Sequence, residues 1–162
     1  MPVKILYGCL ILGLTASAAS ADTLPAAKTP EVVKGVQSCL TAVDSHQVNV
    51  ENLKKDGWSA VSASEAGKPV GLPIPLFSKG NLLLLHKSDA ETPICAIMAK
   101  VPNVSDVGDI ANAIDIALKT DRKIKDGKAI PAYWFPAEHI VELATTGSVD
   151  APGVRIVVGY RK

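Results

Sequence analysis

Two apolar stretches joined by a short polar segment constrain this chain most, because together they predict an antiparallel strand pair. The first stretch, residues 82–86, begins with four consecutive leucines, a pattern typical of a strand covered on both faces or nearly so. The second stretch is residues 94–101, and the polar segment between them has a length that connects strands in a hairpin. The fold is therefore expected to contain a buried antiparallel hairpin.

Two amphipathic stretches predict the main helices. Apolar residues recur at spacings of three and four within residues 30–43, with Thr29 as the expected N-cap. A second stripe of this kind is present in residues 105–120. A shorter helix is predicted for residues 50–56, where a glycine follows two lysines.

Strand patterns elsewhere are shorter. Three further strands are predicted, at residues 58–63, 140–145 and 154–160. Residues 140–145 would also suit a short helix, because Glu138 and Glu142 are spaced as on one helical face. The proline- and glycine-rich residues 67–80 and the charged residues 121–128 are expected to lack regular structure. Residues 72–77 are too apolar for a solvated linker and are expected to pack over the core edge as an extended segment.

The order of these elements predicts the fold class. Hairpin connections dominate and parallel crossovers are few, which favours an antiparallel sheet. We expect an α+β domain with a sheet of about five strands and two main helices packed on one face.

An export signal is predicted at the N-terminus. Lys4 precedes an apolar run at residues 5–14, and small residues follow up to Ala19-Ser20-Ala21. This layout is typical of a secretory signal peptide cleaved after Ala21, and the run is shorter than the ~20 residues of a spanning helix. We predict residues 1–21 as signal peptide, 22–29 as a mobile leader and 30–162 as a single domain, located in the periplasm or secreted.

Charge and composition exclude several classes of protein. The chain is 48% apolar with a net charge of +1, which argues against disorder. Cleavage after Ala21 removes Lys4 and no other charged residue, leaving 16 basic and 16 acidic groups on 141 of the 162 residues. This balance gives no electrostatic reason to expect nucleic acid as a partner. No membrane span is predicted in the mature chain.

Two cysteines, Cys39 and Cys95, remain after the predicted cleavage. An even pair in an exported protein predicts a disulfide, because the destination is oxidising. Cys39 lies on the apolar face of the first predicted helix and Cys95 in a predicted strand, so the bond would pin that helix to the sheet. The alternative is two buried free thiols that behave as small apolar side chains.

The sequence contains none of the common local motifs for catalysis, phosphate binding or metal binding. The three histidines lie 40 and 53 residues apart, whereas zinc sites usually include a closely spaced pair. No catalytic residue, metal site or cofactor is therefore predicted. His139 follows Glu138 and could act as a general base oriented by that carboxylate, but an exposed histidine at the start of a strand is the favoured interpretation.

Three of the seven aromatic residues stand in a row as Tyr133-Trp134-Phe135, with a proline on either side. Neighbouring strand residues point to opposite faces, so Trp134 is expected to point away from Tyr133 and Phe135, leaving a large ring at the surface. Because such residues are enriched where interface energy concentrates, we hypothesise that the three bind a partner. Trp134→Ala would then weaken binding and leave the melting temperature nearly unchanged. The favoured interpretation is instead an extended lid whose rings all fold onto the sheet edge or onto residues 72–77.

These observations favour an exported small domain with a non-catalytic role in the cell envelope. Its partner would be an envelope protein or a small ligand. The alternative is a small envelope hydrolase that uses His139 as general base.

Overall fold

The structure of the protein is a computed structural model that describes residues 24–65, 68–72, 74–88, 91–125 and 127–161. The predicted signal peptide, residues 1–21, lies outside the described residues. The described helices are α1 (Thr29–Ala42), α2 (Val50–Lys55) and α3 (Asp106–Leu118). The described strands are β1 (Ser59–Ala60), β2 (Ala63–Glu65), β3 (Lys68–Val70), β4 (Leu76–Lys79), β5 (Leu82–Lys87), β6 (Ile94–Lys100), β7 (Lys123–Lys125), β8 (Lys128–Trp134), β9 (His139–Gly147) and β10 (Pro152–Tyr160).

The strands build one large antiparallel sheet and one small hairpin. The large sheet has eight strands in the order β1-β4-β5-β6-β10-β9-β8-β7, and β2 pairs with β3 separately. The predicted hairpin is present as β5 and β6. The predicted mixed α+β class is therefore confirmed, and β9 resolves the alternative of a short helix in favour of a strand.

The sheet is larger than the sequence predicts, with eight strands instead of about five. Two segments expected to lack regular structure contain strands: β3 and β4 lie within residues 67–80, and β7 lies within residues 121–128. These strands have only three or four residues each. A neighbouring strand supplies their backbone hydrogen bonds, and β3 and β7 lie at sheet edges, where prolines and lysines are tolerated. The local amino-acid composition of these segments therefore does not predict the strands.

Helix α1 packs closely on the sheet and contacts β5, β6 and β10. Gly35 makes this approach possible, because a Cβ there would lie 3.0 Å from Cδ1 of Leu82 and 3.1 Å from Cδ1 of Ile97. The N-cap is Lys28 and not the predicted Thr29. The Lys28 backbone N–H donates a hydrogen bond of 2.8 Å to the Glu31 carboxylate.

The core lies between the helices and one face of the sheet, called here the covered face. Six residues paired in succession across neighbouring strands share this face and are at most 5% exposed: Phe77, Leu84, Ile97, Ile156, Leu143 and Ala132. Helix α3 contacts both α1 and β8. No helix among the described residues is long and apolar enough to cross a membrane.

The predicted disulfide between Cys39 of α1 and Cys95 of β6 is confirmed. Their Cα atoms lie 5.6 Å apart, and both residues are fully buried. The bond joins α1 to the covered face, as expected from the positions of the two cysteines in the sequence.

Candidate functional site

The opposite side of the large sheet, called here the open face, is not covered by any helix of the described residues. Side chains of directly paired residues point to the same side of a sheet, and successive residues of a strand alternate. The pairing therefore places one row of seven residues on the open face: Leu76, Leu85, Ala96, Val157, Glu142, Tyr133 and Lys123. A second row consists of Ser78, Leu83, Met98, Arg155 and Ala144.

Strands β4, β5, β6 and β10 make the open face apolar over half of its width. Six apolar side chains there are half-buried and adjoin one another, and they are called here the apolar patch: Leu76, Leu83, Leu85, Ile94, Met98 and Val157. Contiguous apolar surface of this kind, rimmed by polar residues, typically marks an interaction site.

Basic side chains outnumber acidic ones on the open face, and three of them, Lys87, Lys100 and Arg155, border the apolar patch. The open-face positions of the strands carry the cations Lys87, Lys100, Lys123 and Arg155, against one carboxylate, Glu142. The Arg155 guanidinium donates a hydrogen bond of 3.3 Å to Glu142 Oε1 at the centre of the face. Exposed pairs of this type contribute at most about 1 kcal/mol to stability. The open face is thus basic, although the mature chain is predicted to be neutral.

The structure divides the three aromatic residues that were singled out from the sequence. Tyr133 is half-buried on the open face, Trp134 is fully buried on the covered face, and Phe135 is 39% exposed. The predicted alternation is confirmed for Tyr133 and Trp134, whereas Phe135 lies beyond the end of β8, and the lid with all three rings folded inward is not seen. Arg161 lies over the Phe135 ring, with Cζ 5.9 Å from the ring centroid.

Trp134 holds β8 to α3. Its Nε1–H donates a hydrogen bond of 2.7 Å to Asp115 Oδ1, and Arg122 Nε lies 3.6 Å from Asp115 Oδ2. The expectation that Trp134→Ala leaves stability unchanged is therefore wrong, because truncation would empty a core position and leave Asp115 without its donor.

His139 lies at the start of β9, where its ring contacts the edge of Tyr160 with centroids 5.8 Å apart. Its Nε2 is 3.0 Å from the Val43 carbonyl oxygen. A carbonyl can only accept, so Nε2 donates there. A hydrogen bond with the Glu138 carboxylate, together with burial, raises the pKa of Tyr160 above its ordinary value.

These contacts tie the start of β9 to the end of α1. Within the described part of the chain, no hydrogen bond joins the His139 ring to a serine, threonine or cysteine. No observation therefore favours the hydrolase alternative. His46 and His86 lie elsewhere, in a turn after α1 and at the end of β5. Across the described ranges, no group of three or more His, Cys, Asp or Glu could hold a metal ion.

Sequence reasoning missed the apolar patch and Arg155. The signal was present, because the alternation of Val154, Ile156 and Val158 with Arg155 and Val157 separates two faces of β10. Four adjacent leucines conceal the same alternation in β5, where Leu82 and Leu84 are buried but Leu83 and Leu85 are not.

Comparisons with known proteins give no family for this chain. No protein-family model, curated protein or solved structure matches it. The chemistry of the open face therefore carries the functional conclusion.

Proposed function

We propose that this protein is an exported, non-catalytic domain that binds an acidic polypeptide partner through the open face of its sheet. The observation that carries the proposal is the apolar patch bordered by basic side chains. Tyr133, Met98 and Arg155 on this face are of residue types enriched at protein interfaces. Of the three aromatic residues hypothesised to bind a partner, Tyr133 and Phe135 remain candidates.

The dimensions of the open face suit a polypeptide partner. Eight strands at ~4.8 Å spacing span about 34 Å, and six residues along a strand span about 20 Å. The resulting area, roughly 700 Å², is close to the ~800 Å² that each partner contributes to a standard protein interface.

The charge of the open face favours an acidic polypeptide over a second copy of the chain or a nucleic acid. Four cations against one carboxylate attract an acidic surface. The same charges would repel each other if two copies of the chain stacked face to face. The half-buried leucines add apolar area that a phosphate backbone would not satisfy.

Export is supported by two independent features. The Cys39–Cys95 disulfide is typical of proteins that fold in an oxidising compartment. The basic start, apolar run and Ala19-Ser20-Ala21 are typical of a cleaved signal peptide. Cleavage after Ala21 would be visible as the intact mass of residues 22–162.

Affinity capture from the exported fraction of the native host tests the proposal. The baits are the mature wild type, Leu85→Asp on the apolar patch and, as matched control, Ile116→Asp. Ile116 is 78% exposed on α3. We expect the wild type and Ile116→Asp to retain the same acidic polypeptide, and Leu85→Asp to lose it.

Retention should also weaken as salt rises from about 50 to 500 mM, because exposed charges are then screened. Circular dichroism checks that each bait is folded. Equal retention by all three baits would overturn the proposal, as would capture of a second copy of the chain, or binding solely to anionic vesicles.

A further inference from the structure

Strand β9 has a free backbone edge at its C-terminal end. The pairing of β8 with β9 stops at Ala132 and Leu143, although β9 continues to Gly147 beside β10. The next residue of β8 toward its N-terminus is Pro131, which has no N–H to extend the ladder. Beyond Leu143, β9 therefore has a strand neighbour on one side.

The hydrogen-bonding pattern shows which peptide groups face this edge. Ser148 and Ala151 exchange backbone hydrogen bonds of 3.2 and 3.3 Å at the end of the hairpin. In an antiparallel pair, hydrogen-bonded and non-hydrogen-bonded residues alternate. Thr146 therefore bonds to β10, whereas the N–H and C=O of Thr145 and Gly147 point away from it. Among the described residues, the backbone hydrogen bonds outside the strand ladders involve neither residue.

An apolar cleft adjoins this free edge. Its volume is about 300 Å³, and its lining joins Val104, Val107 and Val149 to residues 145–148 and to Pro152 and Gly153 of β10. Val104 and Val149 are 52% and 83% exposed. If an extended segment pairs with β9, its residue opposite Thr145 points to the same side of the sheet as the Thr145 side chain.

We propose that the Thr145–Gly147 edge accepts an extended polypeptide segment as an added strand, with one apolar side chain of that segment in the cleft. Backbone hydrogen bonds would supply affinity, and the cleft would supply selectivity. The edge is only three residues long, so a flexible segment fits better than the edge of another folded sheet. This site is separate from the open face and goes beyond the proposed function.

A labelled pentapeptide of alternating threonine and valine, with valine at its centre, is the probe. Fluorescence anisotropy measures its binding to the mature wild type, to Thr145→Pro and to Thr145→Val. Thr145→Pro removes the N–H that faces the edge, whereas Thr145→Val keeps it. We expect Thr145→Pro to weaken binding at least tenfold and Thr145→Val to change it less than threefold.

Amide hydrogen exchange of the wild type locates the bound probe without any variant. The probe should slow exchange at Thr145 and Gly147, and a probe N-methylated at its central residue should not. No slowing at these amides with valine or leucine probes up to about 1 mM would overturn the proposal. Slowing that rises with protein concentration alone would also overturn it, because the edge would then belong to a second copy.

Discussion

The covered and open faces belong to the same strands, yet their side chains do different things. Leu84, Ile97 and Ile156 point into the core and are fully buried. Their neighbours Leu85, Met98 and Val157 point the other way and stay half-exposed. Because the side-chain period of a strand is two residues, each strand contributes one residue to stability for each residue it offers to a partner. Stability and binding should therefore be separable by single substitutions.

Trp134→Ala and Tyr133→Ala compare the two faces at adjacent positions and should show the largest difference. Trp134 is fully buried and bonded to Asp115, so its truncation should lower the free energy of unfolding by about 3–5 kcal/mol. Tyr133→Ala should cost about 1 kcal/mol or less and weaken partner capture. Urea unfolding measures both variants, and equal losses would contradict the assignment of the faces.

The disulfide lies on the covered side of the sheet, away from the apolar patch. Cys39 and Cys95 are separated by 56 positions, for which the chain-entropy estimate of stabilisation is about 4 kcal/mol. Replacing both with alanine should lower the free energy of unfolding by about 2–5 kcal/mol. Partner retention should persist at temperatures where the variant is still folded. A loss of retention by the folded variant would show that the bond also shapes the open face.

The parts of this fold that the sequence predicts are those with a strong local pattern. The β5–β6 hairpin, α1 and the disulfide follow from local periodicity, turn chemistry and cysteine count. Strand β7 and the start of β8 do not, because all three residues of β7 are exposed and the two segments are held by pairing with each other at the edge of the sheet. The alternation at Tyr133 and Trp134 could be predicted, but which of the two faces the core depends on the position of α3.

Two glycines of β10, Gly153 and Gly159, lie on the open-face side of the strand, and alanine should be tolerated at one of them and not at the other. A Cβ at Gly153 would lie 2.9 Å from the Ala99 carbonyl oxygen, whereas a Cβ at Gly159 would lie no closer than 3.6 Å to another atom. Gly153→Ala should therefore cost about 1–3 kcal/mol of unfolding free energy. Gly159→Ala should stay within about 1 kcal/mol of the wild type. Thermal melts compare the pair, and similar melting temperatures would argue against the close approach at Gly153.

His86 should give the smallest effect. Burial lowers its pKa below the ordinary value near 6.5, and its ring lies 5.7 Å from that of Phe77. The unfolded chain therefore takes up a proton first, so stability falls as the pH drops below about 6.5. Between about pH 7 and pH 5, the wild type should therefore lose more stability than His86→Gln. Urea unfolding at both pH values measures this, and a steeper loss in the variant would contradict it.

Site-specific photo-crosslinking in the native host tests the central claim most directly. A photoreactive amino acid replaces Leu85 in the apolar patch or, as control, Ile116 on the opposite side of the molecule. The account predicts a discrete adduct with an acidic polypeptide from position 85 and none from position 116. That adduct should disappear when Lys100→Glu and Arg155→Glu are added. Equal adducts from both positions, or no polypeptide adduct from position 85, would contradict the claim that the open face is the binding surface.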